Sequence, residues 1–243
     1  MRIFVINPNT SRRMTEHIRR ELDRIRRPDT AVTVMNPEQG PISIECAHDE
    51  VLAGRGTLEL VAKANAEGYD AILIACYSDP ALDAAREVSR ILVIGIEEAA
   101  LHIASMLGHK FSVITSLPRR IPTRDLHARL RGVECCFASA LPLDMPVLEM
   151  EADPVKAKER AVALVRKAIE EDGAEVIILG CAGLAGYAKD IARESGAVVL
   201  DPTAVAFKLA EAMVDLGIAH SKIRRFASPV PKQNAVEGDN DVL

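Results

Sequence analysis

No apolar run in this 243-residue chain approaches the roughly 20 residues that crossing a bilayer requires. The opening Met-Arg-Ile-Phe-Val-Ile-Asn reads as a strand, not as a leader peptide. No membrane partner is expected, and the expected location is cytoplasmic. A concentrated basic stripe is also missing and the net charge is −5, so nucleic acid is not an expected partner. The local exception, Arg12, Arg13, Arg19, Arg20, Arg24, Arg26 and Arg27, is interleaved with Glu16, Glu21 and Asp23 and reads as the solvated face of a first helix. No C-x-x-C pair occurs, and the cysteines and histidines show no closely spaced set of the kind a structural zinc site needs, so no metal is expected. Glycine-rich phosphate loops are lacking as well. Gly54-Arg-Gly56 lies within a helical stretch, without a preceding strand or a third glycine, which argues against a nucleotide cofactor. The five cysteines, an odd number without a secretory signal, fit free thiols in a reducing compartment.

What is present is a regular alternation. Hydrophobic residues make up 49% of the chain, enough to bury a sizeable core as one large domain or two small lobes. Short runs rich in Val, Ile and Leu alternate with longer stretches of helical period, the pattern of a parallel sheet covered on both faces. This predicts an α/β protein with strands at 2–6, 31–36, 71–75, 91–95, 111–115, 134–138, 176–179 and 197–200. Helices are predicted near 11–25, 49–67, 79–88, 97–107, 119–130, 154–171, 184–194 and 203–216.

The alternation is also duplicated. Arg2-Ile-Phe-Val-Ile-Asn7 resembles Lys110-Phe-Ser-Val-Ile-Thr115, 108 residues later; Cys76 and Cys181 are 105 apart; and Val93 and Val199 open similar runs 106 apart. The predicted fold is therefore two pseudosymmetric lobes, each a four-stranded parallel sheet flanked by helices, with the site in the cleft between them. Residues 1–96 form the first lobe, completed by a C-terminal helix at about 205–220, and residues 97–204 form the second. Residues 225–243, which contain Pro229, Pro231 and an acidic run, read as a flexible tail.

Ligands of open parallel sheets bind beyond the carboxyl ends of the strands. Residues Asn7 to Ser11, Cys76 to Asp79, Thr115 and Ser116, and Cys181 to Leu184 all fall on that edge and converge if the lobes face each other. Asp79 and Pro80 are expected to open the helix after Cys76, placing backbone N–H groups and a positive dipole end near the sulfur and lowering its pKa. The glycines around Cys181 offer similar donors. One thiolate and one thiol on opposite sides of a carbon adjoining a carbonyl can remove a proton from one face and return it to the other. Matched groups on symmetric lobes suit that task, with backbone N–H groups and the hydroxyls of Thr10, Ser11, Ser78 and Ser116 available to the enolate oxygen. Cys46, Cys135 and Cys136 have no repeated partner and read as packing residues, and neither His48 nor His102 is assigned as a base. Asp79, Glu97 and Glu98 read as helix caps rather than acid/base groups.

These residues resemble the aspartate/glutamate/hydantoin racemase superfamily, in its hydantoin and allantoin racemase branch. The resemblance runs from the N-terminus to about residue 220. It rests on Ile6-Asn7-Pro8-Asn9-Thr10-Ser11, Gly40-Pro41-Ile42, the Cys76-x-x-Asp79-Pro80 turn, Ile114-Thr115-Ser116 and Gly180-Cys181-Ala182-Gly183-Leu184. It implies two pseudosymmetric α/β lobes, a cofactor-independent mechanism with Cys76 and Cys181 as the proton-transfer residues, a small-molecule substrate and a homo-oligomer. It further implies ligand contacts from Asn9, Thr10, Ser78, Ser116 and Gly183, with Ser11, Ile42, Thr115 and Leu184 completing the expected set. The family often has glycine two residues after the first cysteine, where this chain has Ser78, so the ring pocket is expected to differ. No additional basic residue stands in the motif loops to hold an α-carboxylate, which favours a 5-substituted hydantoin, or allantoin, over free aspartate or glutamate. The competing readings are amino-acid racemisation, maleate isomerisation, a non-catalytic binding protein and a redox dithiol.

Overall fold

A computed structural model describes residues 1–230, without the side chain of Ala182. The first half runs β1 (Arg2–Ile6), α1 (Arg12–Ile25), β2 (Ala31–Met35), α2 (Ala47–Ala66), β3 (Ala71–Ile74), α3 (Leu82–Val88), β4 (Leu92–Gly95) and α4 (Ile96–Leu107). The second half repeats the order with β5 (Phe111–Thr115), α5 (Ile121–Leu130), β6 (Phe137–Pro142), α6 (Val147–Ala152), α7 (Pro154–Asp172), β7 (Val176–Leu179), α8 (Ala188–Ser195), β8 (Val198–Leu200) and α9 (Pro202–Asp215). Among the described residues no helix is long and apolar enough to cross a membrane.

The strands form two four-stranded parallel sheets, ordered β2-β1-β3-β4 and β6-β5-β7-β8. The second order is the first with every strand replaced by its counterpart, as duplication requires. Among the central strands, β3 and β7 are continuous apolar runs with all four residues buried, because helices cover both of their faces, and β5 is wholly buried too although it carries Ser112 and Thr115. Each large side chain so buried contributes roughly 1.5–3 kcal/mol. Helix α1 turns Met14, Ile18 and Leu22 inward and is capped by the Ser11 hydroxyl, which accepts from the Met14 N–H. Its outer arginines pair with Glu16, Glu21 and Asp23, as a solvated face should.

The lobes exchange their last helices. Helix α4, which follows β4, lies against β7 of the second sheet, whereas α9, which follows β8, lies against β3 and β4 of the first. The two helices also pack on each other. This crossing fixes the lobes face to face, with the carboxyl ends of β1, β3, β5 and β7 turned toward one cleft.

Several expected boundaries are corrected. The strand predicted at 134–138 begins at Phe137, because Glu134–Cys136 closes a 3-10 turn through the Cys136 N–H on the Val133 carbonyl. Helix α3 starts at Leu82 instead of 79, since Asp79 and Ala81 are left-handed, with φ of 46° and 59°. Helix α8 starts at Ala188 after a 3-10 turn at Ala182–Leu184. Six-residue α6 was not predicted, being too short to establish a period. Of the expected tail, residues 231–243 lie outside the described residues. Arg225 pairs with Asp83 at 2.8 Å, and the Phe226 ring lies 5.3 Å from the Arg86 guanidinium carbon.

Candidate active site

The first cysteine loop leaves β3 as a tight turn. The Ser78 and Asp79 N–H groups both donate to the Cys76 carbonyl, and Cys76 Sγ lies 3.4 Å from Ser78 Oγ. Left-handed Asp79 swings its carboxylate away from α3. Its Oδ1 accepts the Glu97 N–H at 3.0 Å and its Oδ2 the Glu98 N–H at 2.9 Å, so Asp79 caps α4 and not the helix that follows it in sequence. Gly95 makes this approach possible, because a Cβ there would stand 2.3 Å from the carboxylate.

The second loop is built in the same way from different parts. The Gly180 N–H donates to the Ile114 carbonyl, and a Cβ on Gly180 would meet that oxygen at 2.9 Å. The Gly183 N–H points at Cys181 Sγ, 3.4 Å away. Here the bracing carboxylate sits on the helix instead of the loop. Asp201 caps α9 through the Thr203 and Ala204 N–H groups and accepts the Gly186 N–H at 2.7 Å.

Cys76 and Cys181 line one cavity together with Asn9, Ser78, Thr115 and Ser116, so these six expected residues are brought together. Five others are not on its wall. Thr10 is turned to the Pro41 carbonyl, and Ser11 is occupied in capping α1. Ile42 is 52% exposed, and Ile44, two residues on, takes the wall position. The Gly183 N–H is spent on the Cys181 sulfur, and Leu184 is buried in the core. Asn9 itself anchors the loop, its Oδ1 accepting from Asn7 Nδ2 and the Ser11 N–H.

The wall also holds residues that the motifs did not indicate: Met14, Tyr77, Val147, Arg120 and Arg124. The two arginines correct the expectation that the site carries no further cation. Both come from the second lobe and both are neutralised by first-half carboxylates, Arg120 by Glu50 and Arg124 by Glu97. Their signal in the sequence was the four-residue spacing just beyond Thr115-Ser116, which the helix expected at 119–130 would turn to one face; Arg120 ends the 3-10 turn that leads into α5, and Arg124 lies in α5 itself. Glu45 adds another bridge by accepting the Val147 N–H at 2.8 Å. The cavity between these bridges offers about 40 Å³ to water centres, room for roughly three waters at 10–15 Å³ each.

The expected low thiol pKa values are also overturned. Burial pushes Cys76 up to about 12, against a lowering hydrogen bond from Ser78 and with further raising by the nearby Cys181, Glu50 and Asp79. Burial likewise pushes Cys181 up to about 11, opposed by the Gly183 N–H and the Arg124 charge. Desolvation of the charged form outweighs the backbone donors. Burial, followed by the neighbouring Glu97 charge, raises the Asp79 carboxyl to about 7. Away from the cavity, Cys46, His48 and Asp49 bring ligating atoms within 4.8 Å of one another, a closer set than the sequence reading allowed. Asp49 is already used there, accepting the Glu45 N–H ahead of α2.

The duplicated, two-lobed α/β protein is an isomerase of the racemase class, as its family and relatives show. The chain belongs to the Asp/Glu/Hydantoin racemase family, whose model matches residues 3–210. It is 40% identical over 233 residues to a hydantoin racemase of Pseudomonas sp. (strain NS671), covering 96% of this chain and 94% of that protein. A hydantoin racemase of Rhizobium meliloti is 38% identical over 94% of this chain and 95% of its own length. Among solved structures, an allantoin racemase from Klebsiella pneumoniae superposes with a TM-score of 0.92 at 38% identity, covering 98% of this chain and 96% of that one.

Proposed function

We propose that the protein is a cofactor-independent racemase of 5-substituted hydantoins, with Cys76 and Cys181 exchanging protons with C5 from opposite faces. The observation that carries this reading is the presence of both sulfurs, from corresponding strand ends, on the wall of one cavity between the lobes. Family membership and the hydantoin racemases at 38–40% identity support the same substrate class. In each direction one sulfur, as thiolate, takes the C5 proton, and the electron pair moves onto the adjoining carbonyl oxygen as an enolate. The opposite thiol then protonates C5 on its other face, and the carbonyl re-forms. The carbon is inverted, the proton inventory is unchanged and the two sulfurs have exchanged roles.

Burial serves this chemistry in one respect and opposes it in another. A thiolate with a pKa near 11 or 12 is a stronger base toward carbon than an ordinary one, but little of it exists at neutral pH. Ser78 Oγ beside Cys76 and the Gly183 N–H beside Cys181 are the groups that hold each thiolate as it forms.

Allantoin is the second substrate to test, because the Klebsiella allantoin racemase structure matches nearly the whole chain. The same reading takes the protein as a cytoplasmic homo-oligomer, which light scattering tests, with lobes 1–96 and 97–204 and α9 completing the first. The deciding experiment incubates single enantiomers of a hydantoin panel, allantoin and acidic amino acids in D₂O and follows optical rotation and loss of the C5 proton signal. Racemisation of the ureides is expected, with Cys76→Ser and Cys181→Ser each abolishing it. Full activity in either variant refutes the two-thiol mechanism.

A further inference from the structure

Arg124 is the most deeply buried cation on the cavity wall, and the thiol chemistry gives it no task. Its side chain is 2% exposed. Nη1 donates to the Tyr77 carbonyl at 2.5 Å and to the Glu97 carboxylate, whose other oxygen lies 2.6 Å from His127 Nδ1. Nε is buried without a hydrogen-bond partner among the described residues, as is the Tyr77 hydroxyl on the same wall. A buried donor with no acceptor is unfavourable, and Arg124 lines the same cavity as both sulfurs, which puts its guanidinium beside a ligand bound there. The rigid hold of Glu97 and Tyr77 fixes the guanidinium before any ligand arrives.

The charges narrow what that ligand is. Glu97 offsets Arg124 and Glu50 offsets Arg120, while Glu45 and Glu151 add negative potential at Cys181. The wall thus presents N–H donors without an excess of positive charge, which suits an uncharged carbonyl better than a carboxylate.

We propose that Arg124 is a catalytic residue, donating an N–H to the carbonyl oxygen that adjoins the reacting carbon and stabilising the enolate charge that develops there. Glu97 and His127 are its positioning residues. The inference rests on the two-thiol reading. As the thiolate takes the proton, the C–H electron pair passes to the carbon–carbon bond and the carbonyl π pair to oxygen. The Arg124 N–H bond strengthens as that oxygen becomes anionic, and no proton leaves the guanidinium.

Removing Arg124 alone would leave the buried Glu97 carboxylate with His127 as its remaining side-chain partner, so the test variant is Arg124→Gln combined with Glu97→Gln, checked for folding by its melting transition. Its kcat should fall 100-fold or more, the size of effect known for a lost oxyanion donor, with a smaller change in KM. Added guanidinium ion should restore part of the rate. A folded double variant with kcat within threefold of wild type, or a loss that guanidinium does not relieve, overturns the role. Binding of unsubstituted hydantoin, measured by calorimetry, separates this failure from failure of the two-thiol reading. A wild type that racemises nothing on the panel defeats that reading, yet hydantoin should still bind at least tenfold more weakly to the double variant, and equal binding rejects Arg124 as a ligand donor. Glu97→Gln alone should shift the preference from hydantoin toward acetate; an unchanged ratio of the two affinities rejects the neutral-ligand argument.

Discussion

Replacing Asp79 by Asn isolates the electrostatic part of the brace beneath Cys76. The carboxyl rises from 3.8 in the unfolded chain to about 7 in the folded one, chiefly through burial and then through Glu97. At ~1.4 kcal/mol per tenfold change in proton affinity, this amounts to roughly 4 kcal/mol of linkage. The folded state holds the proton more tightly, so the contribution is full below the unfolded pKa of 3.8 and is lost as pH rises through 7. Asn tolerates the left-handed backbone at φ 46° and is neutral throughout, but it offers one acceptor to two N–H groups, a pH-independent loss of about 1 kcal/mol. Urea unfolding of both proteins at intervals from pH 4 to 8 measures the difference. Titrating groups remote from Asp79, Asp201 among them, largely cancel in the comparison. The Asp79→Asn variant should be the less stable protein at pH 4 and the more stable at pH 8, with the difference shifting by several kcal/mol, up to the roughly 4 kcal/mol of the linkage. Parallel curves, constant to about 0.5 kcal/mol, would refute the assignment of a high-pKa buried carboxyl to this position.

Three further outcomes are expected. Log kcat/KM should climb by nearly one per pH unit from 7 to 10, since a thiolate must form from thiols near 11 and 12; a plateau below pH 9 in stopped-flow polarimetry would contradict this. Gly180→Ala forces a methyl against the Ile114 carbonyl and Val113, and should destabilise the fold by about 1–3 kcal/mol with a larger fractional loss of kcat than of substrate affinity; unchanged unfolding and kinetics would show that the strand end yields freely. Gly95→Ala displaces the Asp79 carboxyl, and loss of that cap should lower stability by about 1–2 kcal/mol in thermal unfolding at about pH 5, where the buried group is protonated, whereas in the Asp79→Ala background the same change should have a smaller effect.

The strands and their duplication were legible in the sequence because the central strands are rich in Val, Ile and Leu, uninterrupted in β3 and β7, and a run buried on both faces has little freedom in what it can form. The two sulfurs were legible for the same reason, as both directly follow such runs. Asp79 as the cap of α4 was not, since the bond spans from a loop to a helix eighteen residues on, and the Asp-Pro pair argued locally for the adjacent helix. Arg124 was hidden by distance as well: its acceptors, Glu97 and the Tyr77 carbonyl, stand 27 and 47 residues away. The thiol pKa values failed because local sequence displays backbone donors but not the desolvation that closing two lobes imposes.

The two carboxylate braces, taken with the exchanged helices, tie each sulfur to the opposite half of the molecule. Asp79 binds the Cys76 loop to α4, which rests on β7, and Asp201 binds the Cys181 loop to α9, which rests on β3. Neither loop is anchored by its own sheet alone; each is also held by a helix seated on the other. A displacement of one sheet against the other would therefore be passed to both cysteine loops together. Under the two-thiol reading proposed above, the crossed braces are what would keep the two proton carriers in mutual register.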